Sequence, residues 1–286
     1  MSRFFALASV VLFPACLPVF AADAELAVAD SVLVQGQIVT VRVYGLPLDT
    51  VTGTFDGSEL PFVRSAPDSF YTLLAVDMDK KPGDYKLAVR LSGYGGDDIA
   101  AITRTIPVRD AGFPVQRLTL PPAKVFPDSA ATARINRESA LRNRRWKDWS
   151  DRPFWGDRFI APLEGELNRF GSRRIINGAS RGPHSGADIS APAGTPVIAP
   201  AGGRVLLTGD FFFTGNSIYI DHGLGMIGMF FHLSEIDVAE GEMVEQGHVI
   251  GRVGATGRVT GPHLHWGIRW RDARINPGSL LELKID

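Results

Sequence analysis

Apolar and polar positions alternate in the first third of the chain. Val39, Val41 and Val43 are spaced by Thr40 and Arg42, and Leu87, Val89 and Leu91 by Ala88 and Arg90. A period of two sends successive side chains to opposite faces, so these runs predict half-buried β-strands. Turn formers separate them: Gly45-Leu46-Pro47, Phe55-Asp56-Gly57, Lys81-Pro82-Gly83-Asp84 and Gly93-Tyr94-Gly95-Gly96. About seven short strands in this length predict an immunoglobulin-like β-sandwich, placed at residues 22–110. No ionisable cluster stands out there, which points to a structural or binding module.

The alternation stops near residue 111. Pro114, Pro121-Pro122 and Pro127 punctuate the chain, and residues 128–147 are then rich in Ala, Arg and Glu. That composition predicts a helix, with Asp128 or Ser129 as its cap, inside a linker of residues 111–157. Arg134, Arg137, Arg142, Arg144, Arg145 and Lys147 make the helix basic. It is either a solvated face or a surface drawn to an anionic cell-wall polymer. From Phe159 onward short β-forming runs return between glycines, as in Thr195-Pro196-Val197-Ile198-Ala199 and Ser217-Ile218-Tyr219-Ile220. Residues 158–286 are therefore expected to form a second unit, rich in β-structure and glycine.

Composition narrows the chemistry. The apolar share of 45% is enough for packed cores, and a net charge of −1 gives no electrostatic case for nucleic acid. Residues 1–21 read as an export signal: Arg3 precedes an apolar run, and Val19-Phe20-Ala21 suits cleavage after Ala21. No later stretch is long and apolar enough to predict a transmembrane segment in the mature chain. Cys16 is the one cysteine and lies inside this signal, after Phe13-Pro14-Ala15, a poor match to a lipidation site. Cleavage would leave no thiol for disulfides, nucleophilic attack or metal ligation. A metal would have to be held by histidine and carboxylate.

The six histidines, His184, His222, His232, His248, His263 and His265, all fall beyond residue 158. In Gly261-Pro262-His263-Leu264-His265-Trp266 a strand would place His263 and His265 on one face and Leu264 on the other. An isolated pair of this kind is often a surface pair. His184-Ser185-Gly186-Ala187-Asp188 offers a further imidazole and a carboxylate. If the two segments meet, two nitrogens and one oxygen are available to Zn²⁺, with a position left open for water. His232 follows the apolar run Met229-Phe230-Phe231 and is either a buried core histidine or a third component of this cluster.

From Phe159 to about Pro277 the chain resembles the LytM/lysostaphin-type zinc endopeptidases of bacterial cell walls. The resemblance is carried in order by Asn168-Arg169-Phe170-Gly171, Arg174-Ile175-Ile176-Asn177-Gly178, His184-Ser185-Gly186-Ala187-Asp188-Ile189 and Ala191-Pro192-Ala193-Gly194-Thr195-Pro196-Val197. Ile220-Asp221-His222-Gly223, His232-Leu233-Ser234, Gly254-Ala255-Thr256-Gly257 and Thr260-Gly261-Pro262-His263-Leu264-His265 complete it.

The resemblance implies a mainly β chain ending in an antiparallel-β LytM-type peptidase domain. It implies zinc held by His184, Asp188 and His265, with His232 and His263 as catalytic histidines. His222 would be structural and His248 a surface residue. Phe230 stands where a tyrosine is frequent in the family, so any contact made by that hydroxyl is absent. The implied substrate is the peptide part of peptidoglycan, its stem peptides; the export signal and the lack of a disulfide fit the periplasm, with a secreted or wall-associated location as second choice. The alternative is a catalytically silent wall-binding regulator of amidases, which usually lacks one of these five residues. A further expectation is self-inhibition, with the linker and the first module covering the groove.

Overall fold

The computed structural model describes residues 24–45, 48–96, 98–119 and 127–285. The signal reading, Cys16, Leu46-Pro47 and Pro121-Pro122 lie outside them. The chain is mainly β. Its first part contains β1 (Glu25–Val28), β2 (Leu33–Val34), β3 (Ile38–Tyr44), β4 (Leu48–Phe55), β5 (Ser58–Leu60), β6 (Val63–Ala66), β7 (Ser69–Ala75), β8 (Gly83–Gly93) and β9 (Asp98–Arg109). These form two sheets, ordered β1-β3-β7-β6 and β2-β9-β8-β4-β5. The β4–β5 turn has positive φ at both Asp56 (49°) and Gly57 (78°), which suits the twist of a two-residue hairpin.

The predicted alternation is visible in β8, where Leu87, Val89 and Leu91 are buried and Lys86 and Arg90 exposed. Val39, Val41 and Val43 of β3 join them in one apolar core. Strand β3 departs from the half-buried expectation. Thr40 is buried and donates its hydroxyl to the Lys284 carbonyl at 2.7 Å. Ile38, Tyr71 and Leu73 belong to the other core, with Trp266, Leu280 and Ile285. The outer face of the first sheet is therefore covered by the second part of the chain rather than by water.

The remaining strands are β10 (Val115–Leu118), β11 (Arg173–Ile176), β12 (Ala179–Arg181), β13 (Gly186–Ser190), β14 (Pro196–Ile198), β15 (Gly203–Phe211), β16 (Gly215–Gly223), β17 (Met226–Leu233), β18 (Glu235–Ile236), β19 (Met243–Val244), β20 (Val249–Arg252), β21 (His263–Trp270) and β22 (Ala273–Ile275). The largest sheet runs β13-β21-β17-β16-β15-β19, with β22 paired to β21. Smaller sheets are β14-β20-β18 and β10-β11-β12. Strand β10 comes from the stretch expected to be a linker, and it pairs in parallel with β11, Gln116 opposite Arg174.

Helix α1 (Ser129–Arg145) is capped by the Asp128 carboxylate, which accepts from Ala131 N at 2.7 Å. Leu141 of this helix and the adjoining Trp146 pack on the outer face of the large sheet, over Leu207, Tyr219 and Phe231. Arg134 pairs with Glu138 and Asp210, and Arg145 with Glu240. Part of its basic character is thus spent on the protein itself. A short helix, α2 (Pro277–Leu281), follows β22, with the Asn276 side chain accepting from Gly278 N. No helix among the described residues is long and apolar enough to cross a membrane.

A charged seam joins the two parts. The Arg274 guanidinium lies 2.7 Å from both Asp77 and Asp79, and Arg173 bonds Asp79 as well. Ile38 N donates to Ser279 Oγ at 2.9 Å.

Candidate active site

Strands β13, β21 and β17 are neighbours in the large sheet. Their register sets Asp188 opposite His265 and Phe231 opposite His265. Directly opposed residues share a face of the sheet, so one face carries Asp188, His265, Phe231 and, two residues back along β21, His263. Leu264 points the other way and is fully buried. His184 enters from the loop before β13.

Three ligand atoms converge. His184 Nε2 is 2.9 Å from His265 Nδ1, and Asp188 Oδ1 is 3.0 Å from each. All three residues are buried. The other nitrogen of His184, Nδ1, lies 3.0 Å from the Arg169 carbonyl. That contact requires the proton on Nδ1 and leaves a bare lone pair on Nε2. The Nε2 lone pair and the carboxylate oxygen are both acceptors, and His265 has at most one proton to share between them. A cation satisfies all three atoms together, and this donor set can hold a metal ion.

Asp188 is suited to that task. Burial alone would raise its pKa, but the adjoining His184 and His265 imidazoles outweigh it and hold the carboxyl well below the usual carboxylate range. Burial lowers His265 to about 4, so its imidazole is neutral at pH 7 and able to ligate. The ring of His265 stacks on Phe231, centroids 5.2 Å apart. Gly186 makes room for it: a Cβ there would stand 2.5 Å from His265 Nε2 and 2.7 Å from the Trp266 carbonyl.

His232 and His263 flank this trio, with ring centroids 5.0 Å apart. Each has its Nδ1 against a backbone carbonyl, His232 on Thr256 at 2.9 Å and His263 on Gly261 at 2.8 Å. Donation from Nδ1 fixes the tautomer and leaves Nε2 as an acceptor on both rings. Nε2 of His263 is 3.7 Å from Asp188 Oδ1. Burial, followed by the proximity of His265, lowers His232 to about 3. The His232 backbone has φ of 67°, a left-handed conformation that costs a non-glycine residue about 1–3 kcal/mol. Its N–H bonds the Thr214 carbonyl, and Gly254 packs so closely beneath it that a Cβ would lie 2.7 Å from the His232 carbonyl. The surrounding backbone therefore holds the ring in place.

The five expected residues thus come together in one groove of about 260 Å³. His222 stands apart, fully buried, with Nδ1 on the Gly202 carbonyl at 2.8 Å. His248 is exposed. Phe230 is fully buried in the core and faces away from the groove, so a hydroxyl at that position would not reach a substrate there. Residues 24–109 contribute nothing to the groove lining among the described residues, whereas Gln116 of β10 forms part of its wall. Arg169, Arg174 and Arg258 also line it; Arg169 and Arg174 stand in the fragments that carry the resemblance, but none of the four was assigned a role from the sequence. The Gly254-Ala255-Thr256-Gly257 and Thr260-Gly261-Pro262 fragments turn out to supply the carbonyls that orient the two flanking imidazoles.

The sequence model of peptidase family M23 matches residues 182–277. Over 110 residues the chain is 40% identical to the peptidoglycan DD-endopeptidase ShyA of Vibrio cholerae, covering 38% of this chain and 26% of ShyA. Over 97 residues it is 45% identical to the DD-carboxypeptidase/endopeptidase Mpg of Neisseria meningitidis, covering 34% and 22% respectively. The chain thus spans about a quarter of the length of the curated relatives it matches. A crystal structure from Pseudomonas aeruginosa assigned to peptidase M23 superposes with a TM-score of 0.64 at 30% identity, covering 87% of this chain and 94% of that one.

Proposed function

The chain belongs to peptidase family M23, and on that premise we propose that it is an exported, zinc-dependent endopeptidase that hydrolyses peptide cross-links of bacterial peptidoglycan. One observation carries the proposal: two imidazole nitrogens and one carboxylate oxygen converge to within 3.0 Å of one another, beside two histidines whose acceptor nitrogens are left free by their backbone contacts. His184, Asp188 and His265 would hold the zinc. When bound, zinc supplies a Lewis acid for the scissile carbonyl and lowers the pKa of water toward neutrality.

The protein's own groups do the rest. The Nδ1–H bonds of His232 and His263 hold both rings with Nε2 ready to take a proton. One of them acts as general base and takes the proton of water at Nε2; the other, carrying at Nε2 a proton drawn from solvent, stabilises the developing oxyanion or gives that proton to the leaving amine, and the first ring then returns its proton to solvent. No glutamate lines the groove among the described residues, so base catalysis falls to histidine. The presence of all five residues weighs against the silent-regulator alternative. The segment 1–21 supports export, with the periplasm as destination.

The test is chromatography of purified sacculi after incubation with zinc-loaded protein. Cross-linked muropeptide dimers should fall as monomers rise. An unchanged profile with zinc bound would reject the hydrolase assignment.

A further inference from the structure

Strands β10 and β11 bring Gln116 and Arg174 side by side on the wall of the groove. Arg174 Nε and Gln116 Oε1 are both buried, and neither has a hydrogen-bond partner. Buried polar atoms are nearly always paired, so a leftover donor beside a leftover acceptor calls for an explanation. Among the described residues no carboxylate lies within ion-pair distance of Arg174. Burial lowers its pKa, Asp188 opposes this, and the like charges of Arg258 and Arg169 add to it. The one acidic side chain in the groove, Asp188, is engaged by His184, His265 and Arg169. At Arg174 the wall therefore presents a guanidinium that no carboxylate among the described residues pairs with.

We infer that Arg174 and Gln116 form a subsite for a free carboxylate on the carbon that bears the nitrogen of the scissile amide. An amino-acid unit of that kind offers a carboxylate to the guanidinium and an N–H to the Gln116 carbonyl, matching the two unpaired atoms. Arginine suits the role because its planar guanidinium stays charged when buried and binds carboxylates through paired N–H groups. The subsite makes Arg174 a specificity-determining residue. It favours cross-links whose acceptor residue keeps its carboxylate, as diaminopimelate does, over amidated ones. The inference rests on the endopeptidase reading above.

The test uses the full-length zinc-loaded chain and two synthetic peptides with a D-alanyl–diaminopimelate bond. They differ only in whether the carboxyl beside the scissile nitrogen is free or amidated. The free form should have a KM lower by roughly 10- to 100-fold, the size of a buried charge-assisted contact. Arg174→Gln should level the two, and Arg174→Lys should restore part of the preference. A merely structural role would instead lower kcat for both peptides alike. Calorimetric binding of the same peptides to the His263→Ala chain reads the preference without turnover. If neither peptide is cut but the binding ratio persists, the activity assignment falls and the subsite stands. Equal affinities in the parent chain, unmoved by Arg174→Gln, overturn the subsite and leave the hydrolase reading intact.

Discussion

Arg173 and Arg174 are consecutive on β11, yet they enter two opposite electrostatic settings. Arg173 turns to the seam between the two parts of the molecule, where it and Arg274 meet Asp77 and Asp79. Arg174 turns to the groove, where its buried Nε has no partner and the one lining carboxylate, Asp188, is engaged by His184, His265 and Arg169. The seam is neutralised from within. The groove leaves the buried Arg174 Nε for something that arrives from outside. Strand pleating alone separates these fates, and a chain with net charge −1 can conceal a locally cationic cleft.

The sharpest way to break this contrast is to remove the one carboxylate of the groove. Asp188→Ala should lose stoichiometric zinc and lower turnover by more than about 10³-fold, whereas a chain that retains both would separate Asp188 from the metal. His232→Ala and His263→Ala should keep zinc and lose about 10²- to 10⁴-fold in turnover. Metal analysis beside the sacculus assay distinguishes the two classes.

At the seam the cost falls on stability instead. Arg274→Ala leaves Asp77 partly buried without its main partner, and after solvent screening should cost about 1–2 kcal/mol, read from urea midpoints. The acid limb sharpens the point. Burial alone would raise the Asp77 pKa, but hydrogen bonds from Arg274 and from backbone N–H groups prevail and hold it below the usual range. A depressed folded-state value means the contribution is complete above the unfolded value of about 3.9 and disappears as pH falls through the lower, folded one. Asp77→Asn should flatten that limb. The smallest effect belongs to the exposed pair Arg90–Asp98: Arg90→Ala should shift stability by less than about 0.5 kcal/mol and leave turnover unchanged.

What could be read from sequence was what local pattern encodes. The H-x-H pair shares a face because strand geometry demands it, and Asp188 meets it through the β13–β21 register. The alternation in β8 described its burial well. In β3 the same pattern misled, because the polar-looking face at Thr40 is covered by residues near 284. Strand β10 was hidden for a similar reason: Val115-Gln116-Arg117-Leu118 is too short to show a period, and its partner lies beyond the helix. Gln116 and Arg174 became groove residues only through that pairing. Helix α2 did carry a signal, Asn276 as cap followed by Pro277 at its first turn, of a kind that marks a helix start.

The contacts of β3 also bear on how the molecule comes into being. Ile38 and Thr40 bond partners 241 and 244 residues further along the chain. As the polypeptide emerges from N to C terminus, the first sheet must wait with one apolar face uncovered until nearly all of the rest has appeared. Such distant pairings are slow to close, and a waiting apolar face is open to aggregation or to capture by a chaperone. Assembly of the first module is thereby tied to completion of the second, and truncation near residue 279 would leave both unfinished.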